Sequence, residues 1–302
     1  MPELPEVETV RRELARWLAG RTVLAADLVD AVPGPKYAAL GRAAGQRILA
    51  VDRHGKFLRM PLERVGTTGA TGAARDELIV HLGMTGVIST TPPTSHLRVR
   101  LSLDGPAPNT LYFRDVRRFG RVLVAVGGDL AGLPTLLNAG PDALSAAFTP
   151  GSFARALGRS RMAVKTALMS QRPVAGVGNI YADEALWRVR LHPLRRADRL
   201  ERPQVEALHD AIRDVLEASI EAQGTTLYDY RTVNGEVGAY LERLAVYGRT
   251  GRPCPRCGEA VVRIVVGARG THLCPRCQPR PRGRRAAAGP RASPPAKGSS
   301  RP

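Results

Sequence analysis

Cys254-Pro-Arg-Cys257 and Cys274-Pro-Arg-Cys277, with sixteen residues between the pairs, hold all four cysteines of this chain. Two Cys-x2-Cys pairs at such a spacing can close a tetrahedron of thiolates around Zn(II), which ties everything between them into one small pinned unit. Val261 to Val266 and Thr271 to Leu273 read as strands joined by Gly267-Ala268-Arg269-Gly270, so the expected element is a β-hairpin with Arg269 at its tip. Four sulfur ligands leave no open position, which makes the expected ion structural rather than catalytic. Disulfides are the competing use of these cysteines, disfavoured in a chain expected to be cytoplasmic.

Charge narrows the partners. Lys and Arg number 45 against 27 Asp and Glu, a formal net charge of +18. Such a balance speaks for nucleic acid, where cations release counterions from phosphates. An anionic membrane surface is the alternative, weakened by the lack of a basic amphipathic helix or lipidation motif. No apolar run reaches the length of a membrane span and the start lacks a signal-peptide core, so a cytoplasmic protein is expected, associated with the nucleoid through DNA. Only four cations are lysine: Lys36, Lys56, Lys165 and Lys297.

The chain divides by pattern. From Arg21 to about Val126 short β-rich runs (Ile48 to Val51, Phe57 to Met60, Leu78 to His81, Leu97 to Leu103, Arg121 to Val126) alternate with Gly, Pro and Asp, as in an antiparallel sandwich. Residues 66–75 read as a flexible surface loop. From Thr149 to Gln223 helical periodicity dominates, most clearly at Val205, Leu208, Ile212, Val215, Leu216 and Ile220, closed by Gly224. The expected fold is α+β: a sandwich with an N-terminal helix (1–135), a helical unit (136–245) with a long loop at 224–240, the four-cysteine zinc finger (246–278), and a basic tail (279–302) too poor in apolar residues to bury a core.

The first residues read Met1-Pro2-Glu3-Leu4-Pro5-Glu6-Val7-Glu8-Thr9-Val10-Arg11-Arg12. With Met1 removed, Pro2 becomes a secondary amine whose pKa, roughly 7.7 to 8.0, leaves a useful fraction nucleophilic at neutral pH. Attack on a sugar C1′ would give an iminium ion, cationic without an added proton. Val7, Val10, Leu14, Trp17 and Leu18 lie on one helical face, with Pro5, Glu6 and Glu8 in its first turns. By pattern alone this is an ordinary capped helix.

The exact string resembles the start of bacterial formamidopyrimidine-DNA glycosylases (Fpg, or MutM), of the Fpg/endonuclease VIII family, with Leu4 matching the Fpg branch. Further blocks carry the same resemblance in order over about residues 1 to 278: Arg53-His54-Gly55-Lys56, His81-Leu82-Gly83-Met84-Thr85-Gly86, Asp115-Val116-Arg117-Arg118-Phe119-Gly120, and Pro173 to Trp187 around Gly176-Val177-Gly178-Asn179. The last resembles the family's helix-two-turn-helix; taken alone it is a glycine-rich turn before a helix, suited to phosphate. A dinucleotide-binding fingerprint is the rival there, but no strand in a βαβ context precedes it.

The resemblance implies a bifunctional glycosylase and abasic-site lyase of base-excision repair, acting on damaged double-stranded DNA as a monomer. It implies removal of oxidised purines such as 8-oxoguanine and formamidopyrimidines, then β,δ-elimination. Pro2, Glu3, Lys56 and Arg269 are then the catalytic residues, Lys56 and Arg269 engaging phosphates at the lesion. Met84, Arg117 and Phe119 would fill the gap left by an everted base; Asn179 and Lys165 would face phosphates, and His81 would support phosphate or fold. Glu6 would shape the base pocket, and Zn(II) would be held by Cys254, Cys257, Cys274 and Cys277. The loop departs from many relatives at Gly224-Thr-Thr-Leu-Tyr228, which bears on the preferred lesion. The other readings are an endonuclease VIII-like enzyme for oxidised pyrimidines, a zinc-containing DNA binder without catalysis, and a zinc-ribbon RNA-binding protein.

Overall fold

The computed structural model describes residues 2–66, 75–225 and 230–281. Met1, most of the loop expected at 66–75, Thr226 to Asp229 of the long loop, and the tail from 282 onward lie outside the described residues.

The first helix, α1 (Leu4–Leu18), begins where Glu3 and Glu6 form a reciprocal box at its start: the Glu3 N–H donates to Glu6 Oε2 at 2.7 Å. Nine strands follow among the described residues: β1 (Val23–Leu28), β2 (Gln46–Ile48), β3 (Asp52–His54), β4 (Phe57–Arg64), β5 (Glu77–His81), β6 (Gly86–Ser89), β7 (Leu97–Leu103), β8 (Thr110–Asp115) and β9 (Arg121–Ala125). They form two antiparallel sheets, ordered β1-β7-β8-β6 and β2-β4-β5-β9, with β3 also paired to β4. Alternate residues such as Met60, Leu62, Val99, Leu101, Leu111 and Phe113 fill the space between the sheets together with Val7, Val10, Leu14 and Leu18 of α1.

Expectation and structure differ in detail. The run Ile48 to Val51 is not one strand: β2 ends at Ile48 and β3 begins at Asp52, and both pair with β4. The break lies opposite Pro61, which has no N–H to give a ladder. The sequence pattern did not single out β1, β6 or β8, although Thr110-Leu-Tyr-Phe-Arg-Asp115 alternates buried and half-buried positions along its length.

After the short α2 (Pro134–Leu137), a helical unit packs α3 (Pro150–Gly158), α4 (Val164–Met169), α5 (Asn179–Arg188) and α6 (Arg202–Glu221) around Phe153, Leu168, Tyr181, Leu186, Leu208 and Leu216. The six apolar positions expected along α6 are all buried. Leu4 belongs to this core, not to the sandwich core that takes Val7 onward. α1 therefore joins the two cores, and residues 2–6 sit at the junction. The hairpin β10 (Val262–Val266) and β11 (Arg269–Leu273) closes the described chain.

Candidate active site and nucleic-acid interface

Glu3 is 2% exposed, and its carboxylate lies at the start of α5: Oε1 accepts the Ile180 N–H at 2.9 Å. The free N–H groups and positive end of a helix favour an anion there. Gly178 makes the approach possible, because a Cβ at that position would lie 2.3–2.6 Å from the Glu3 carboxyl atoms. Gly176 does the same for Leu4, whose Cδ1 a Cβ would meet at 2.4 Å. The glycine-rich turn is thus shaped to fit the N-terminal residues of the chain.

Behind Glu3, Glu6 is wholly enclosed. It accepts from the Tyr181 hydroxyl at 2.5 Å, the Thr225 N–H at 2.7 Å and the Glu3 N–H at 2.7 Å. Burial, reinforced by the Glu3 charge, pushes its carboxyl above the usual range against the pull of those donors. Glu6 therefore links the residue beside Pro2 to the first residues of the long loop.

Lys56 is brought to the same place by β3 and β4. Gly55, in the left-handed region at φ +57, turns between them and donates its N–H to Asp142 Oδ2 at 2.7 Å. Arg53 spans Glu8 and Asp142, crossing from the sandwich to the helical unit. Burial raises the Glu8 carboxyl, but hydrogen bonds from Arg11, Arg53 and Arg12 outweigh it and hold it at about 2. Lys56 is 7% exposed; burial lowers its pKa, the Glu3 and Glu6 charges raise it, and the Arg269 charge lowers it further. These opposed influences place Lys56 in the fields of Glu3, Glu6 and Arg269 together.

Arg269 reaches the site on the hairpin. The four Cys Sγ atoms lie within 4.8 Å of one another, with separations of 3.5 Å (Cys257 to Cys274), 3.5 Å (Cys257 to Cys277) and 4.0 Å (Cys254 to Cys277). A tetrahedron with Zn–S bonds of about 2.3 Å has edges of about 3.8 Å, so the set fits Zn(II) and is too open for disulfides. The Trp187 Nε1–H donates to Cys254 Sγ at 3.3 Å, orienting that ligand from α5. Glu184 accepts three backbone N–H groups, of Ala245, Val246 and Tyr247, at 2.8–2.9 Å, and Asp183 accepts that of His272 at 2.8 Å. The helix capped by Glu3 thus also carries the zinc unit. The Arg269 side chain is exposed and finds no hydrogen-bond acceptor among the described residues.

Lys165 corrects an expectation. It is fully buried rather than phosphate-facing, with Nζ 2.7 Å from Asp183 Oδ1, 2.8 Å from Thr271 Oγ1 and 3.3 Å from the Gly270 carbonyl. Three protein acceptors meet its ammonium, so it holds the hairpin rather than DNA. Asn179, half-buried, donates to the Gly270 carbonyl at 3.1 Å, while its Oδ1 has no partner among the described residues.

A second group of expected residues lies at the edge of the sandwich. Phe119 is 49% exposed, with the Arg117 guanidinium 5.1 Å from its ring centroid and the Lys36 ammonium at 5.9 Å. That exposure excludes core packing for Phe119, and Met84, on the adjoining loop, is only partly buried. The His81 ring packs tilted against Phe57, centroids 4.6 Å apart; burial first, then the charges of Lys56 and Arg121, push its pKa down to about 4. Its Nδ1 accepts the Gly83 N–H at 3.2 Å, which leaves the neutral ring's proton on Nε2.

Sequence reasoning missed Asp183, Tyr181 and a basic groove. The groove, of about 470 Å³, is lined by Arg159, Arg161 and Arg172, with Ser160 Oγ buried there without a partner among the described residues. The arginines are scattered through a chain rich in arginine, so only folding singles them out. Asp183 and Tyr181 lie within the motif, but their partners stand far away in the chain.

The same architecture recurs in known proteins. Residues 1–122 match the formamidopyrimidine-DNA glycosylase N-terminal domain, 139–230 the formamidopyrimidine-DNA glycosylase H2TH domain, and 251–280 the zinc finger found in FPG and IleRS. The chain is 48% identical to the formamidopyrimidine-DNA glycosylase of Thermus thermophilus, covering 92% of this chain and 98% of that one. It is 44% identical to that of Deinococcus radiodurans, with the same coverage. The crystal structure of MutM (Fpg) from Thermus thermophilus superposes with a TM-score of 0.81 at 46% identity over 92% of this chain and 98% of that chain. A Lactococcus lactis FPG variant in complex with Fapy-dG-containing DNA superposes with a TM-score of 0.78 at 32% identity, covering 92% and 100%.

Proposed function

Since the chain belongs to the formamidopyrimidine-DNA glycosylase family, we propose that Pro2, Glu3, Lys56 and Arg269 form the catalytic group of its oxidised-purine glycosylase and abasic-site lyase activity. The observation that carries this assignment is the placement of Glu3: a buried carboxylate, anchored on a helix start, directly beside Pro2 and in the field of Lys56.

With Met1 removed, the Pro2 nitrogen bonds to C1′ of the everted nucleotide while the bond from C1′ to the base breaks, the base leaving with the electron pair and taking up a proton from solvent water. Glu3 takes the proton released by the attacking amine and delivers it to O4′ as the C1′–O4′ bond opens, which leaves an iminium between Pro2 and C1′. The iminium acidifies C2′; loss of a C2′ proton expels the 3′ phosphate, and a second elimination expels the 5′ phosphate. Hydrolysis then frees Pro2. Lys56 and Arg269 neutralise the phosphates that flank the lesion and depart. Zn(II) takes no part in these steps; it holds the hairpin that carries Arg269.

Met84, Arg117 and Phe119 replace the everted base in the stack, Arg117 meeting the widowed partner base. His81, with its proton on Nε2, and Asn179 donate to backbone oxygens, and the groove of Arg159, Arg161 and Arg172 receives the flanking duplex. Residues 1–135 supply Pro2, Glu3 and Lys56, 136–245 grips DNA, the zinc unit 246–278 grips DNA and supplies Arg269, the loop at 224–240 contacts the lesion, and 279–302 is a basic tail outside this machinery. The protein works as a monomer in the cytoplasm, at the nucleoid.

Borohydride trapping on a duplex with 8-oxoguanine opposite cytosine tests the reading. The expected result is a covalent adduct whose peptide maps to Pro2. Tight duplex binding with a confirmed N-terminal proline and no adduct on either 8-oxoguanine or a preformed abasic site would overturn it.

A further inference from the structure

The two segments bearing Met84 and the Arg117–Phe119 pair are tied together below the surface. Thr85 Oγ1 donates to Asp115 Oδ1 at 2.6 Å and accepts the Arg117 N–H at 3.0 Å. The other Asp115 oxygen accepts the Gly120 N–H at 2.7 Å. One carboxylate therefore closes the turn from Asp115 to Gly120 and, through one hydroxyl, fixes it to the residue after Met84. Thr85 is 7% exposed and Asp115 is fully buried.

The knot is itself braced. Arg98, only 1% exposed, donates its Nε–H to the Asp115 carbonyl at 2.8 Å and pairs with Asp30 at 2.7 Å. The backbones also touch: a Cβ on Gly83 would stand 2.5 Å from Phe119 C and Gly120 N. Within the turn, Arg118 has φ +55, a left-handed conformation that a non-glycine residue keeps only when its surroundings impose it. Side-chain packing contributes little to that constraint, since Val116 is 37% exposed and Phe119 49%.

We propose that Thr85 and Asp115 are positioning residues that lock Met84, Arg117 and Phe119 into one rigid wedge, so that the three enter the duplex together when the damaged nucleotide leaves it. The inference rests on the gap-filling role assigned above to those three side chains. A Thr85→Val change keeps shape but leaves the Asp115 oxygen and the Arg117 N–H without their partner, which frees the turn relative to the Met84 loop. Thr85→Ser keeps the hydroxyl.

The test compares Thr85→Val, Thr85→Ser and Phe119→Ala with the unchanged protein on two substrates. One is an 8-oxoguanine:cytosine duplex with 2-aminopurine next to the lesion, whose fluorescence reports unstacking. The other is a single-stranded oligonucleotide with an abasic site, which has no stack to fill. Thr85→Val is expected to slow the fluorescence rise and duplex base removal about tenfold, with single-strand cleavage within about twofold, and Thr85→Ser to restore the duplex rate. Phe119→Ala is expected to slow the same fluorescence step. If Phe119→Ala slows it and Thr85→Val does not, the positioning role is overturned while the wedge stands. If Phe119→Ala changes nothing, the wedge reading fails and takes the proposal with it. Equal losses on both substrates for Thr85→Val overturn the proposal as a general loss of structure.

Discussion

Glu3 Oε1 accepts the Ile180 N–H at 2.9 Å across 177 positions of chain, so a side chain next to the amino terminus is held by a helix of the opposite structural unit. The same helix, through Asp183 and Glu184, holds the zinc unit. Glu3, next to Pro2, and the Arg269 hairpin are thereby referred to one rigid element, α5.

Gly178→Ala should disable the enzyme without touching a charged residue. The added methyl would lie 2.3–2.6 Å from the Glu3 carboxyl atoms and must displace them. Loss of a placed proton-transfer group costs about 10²- to 10⁴-fold. Single-turnover base removal should fall by at least about 100-fold, with duplex affinity, measured by fluorescence anisotropy, nearly unchanged.

Lys56→Met should stabilise the DNA-free protein and impair its chemistry. Burial holds the Lys56 pKa below its ordinary 10.5, so the folded state binds this proton less well than the unfolded chain. The penalty is present at neutral pH and is relieved only as pH rises through the folded value toward 10.5. Removing the ammonium should raise stability at pH 7 by about 1 kcal/mol in urea denaturation, while strand cleavage drops sharply.

His81 gives a pH dependence of its own. Its folded pKa of about 4 lies below the ordinary 6.5, so the unfolded chain takes up the proton first as pH falls. Its contribution to stability is full above about 6.5 and is lost as pH falls toward about 4. An NMR titration should show the His81 ring neutral through pH 6, and His81→Gln should flatten the stability profile across that window.

The Lys165–Asp183 pair, 0% exposed on both sides, should show strong non-additivity. Lys165→Met or Asp183→Asn alone leaves a buried charge uncompensated and should cost about 3–5 kcal/mol, with zinc retained by metal analysis. The double variant should recover most of that stability because neither charge remains.

Much was legible in the residues alone. Cys254, Cys257, Cys274 and Cys277 predict their site because metal geometry acts over short spacing, and the α6 stripe and β7 follow from local periodicity. The motif at the N-terminus and the blocks around Lys56, Met84, Arg117 and Asn179 marked the residues proposed for the site. Their order along the chain left open which of them meet.

Tertiary structure decided the relations. Lys165 looked like a phosphate contact and is a buried ion-pair partner of Asp183; Leu4, outside the helix face read from the sequence, belongs to the helical core. Asp115 and Thr85 carried no assignment in the sequence, and folding bonds them to each other and Thr85 to the Arg117 N–H. Local chemistry such as metal ligation, capping and amphipathic period is written in neighbours and can be read from the sequence alone. Burial, pairing and the fields that move Glu6, Lys56 and His81 come from groups distant in the chain, and only packing of the whole molecule brings those together.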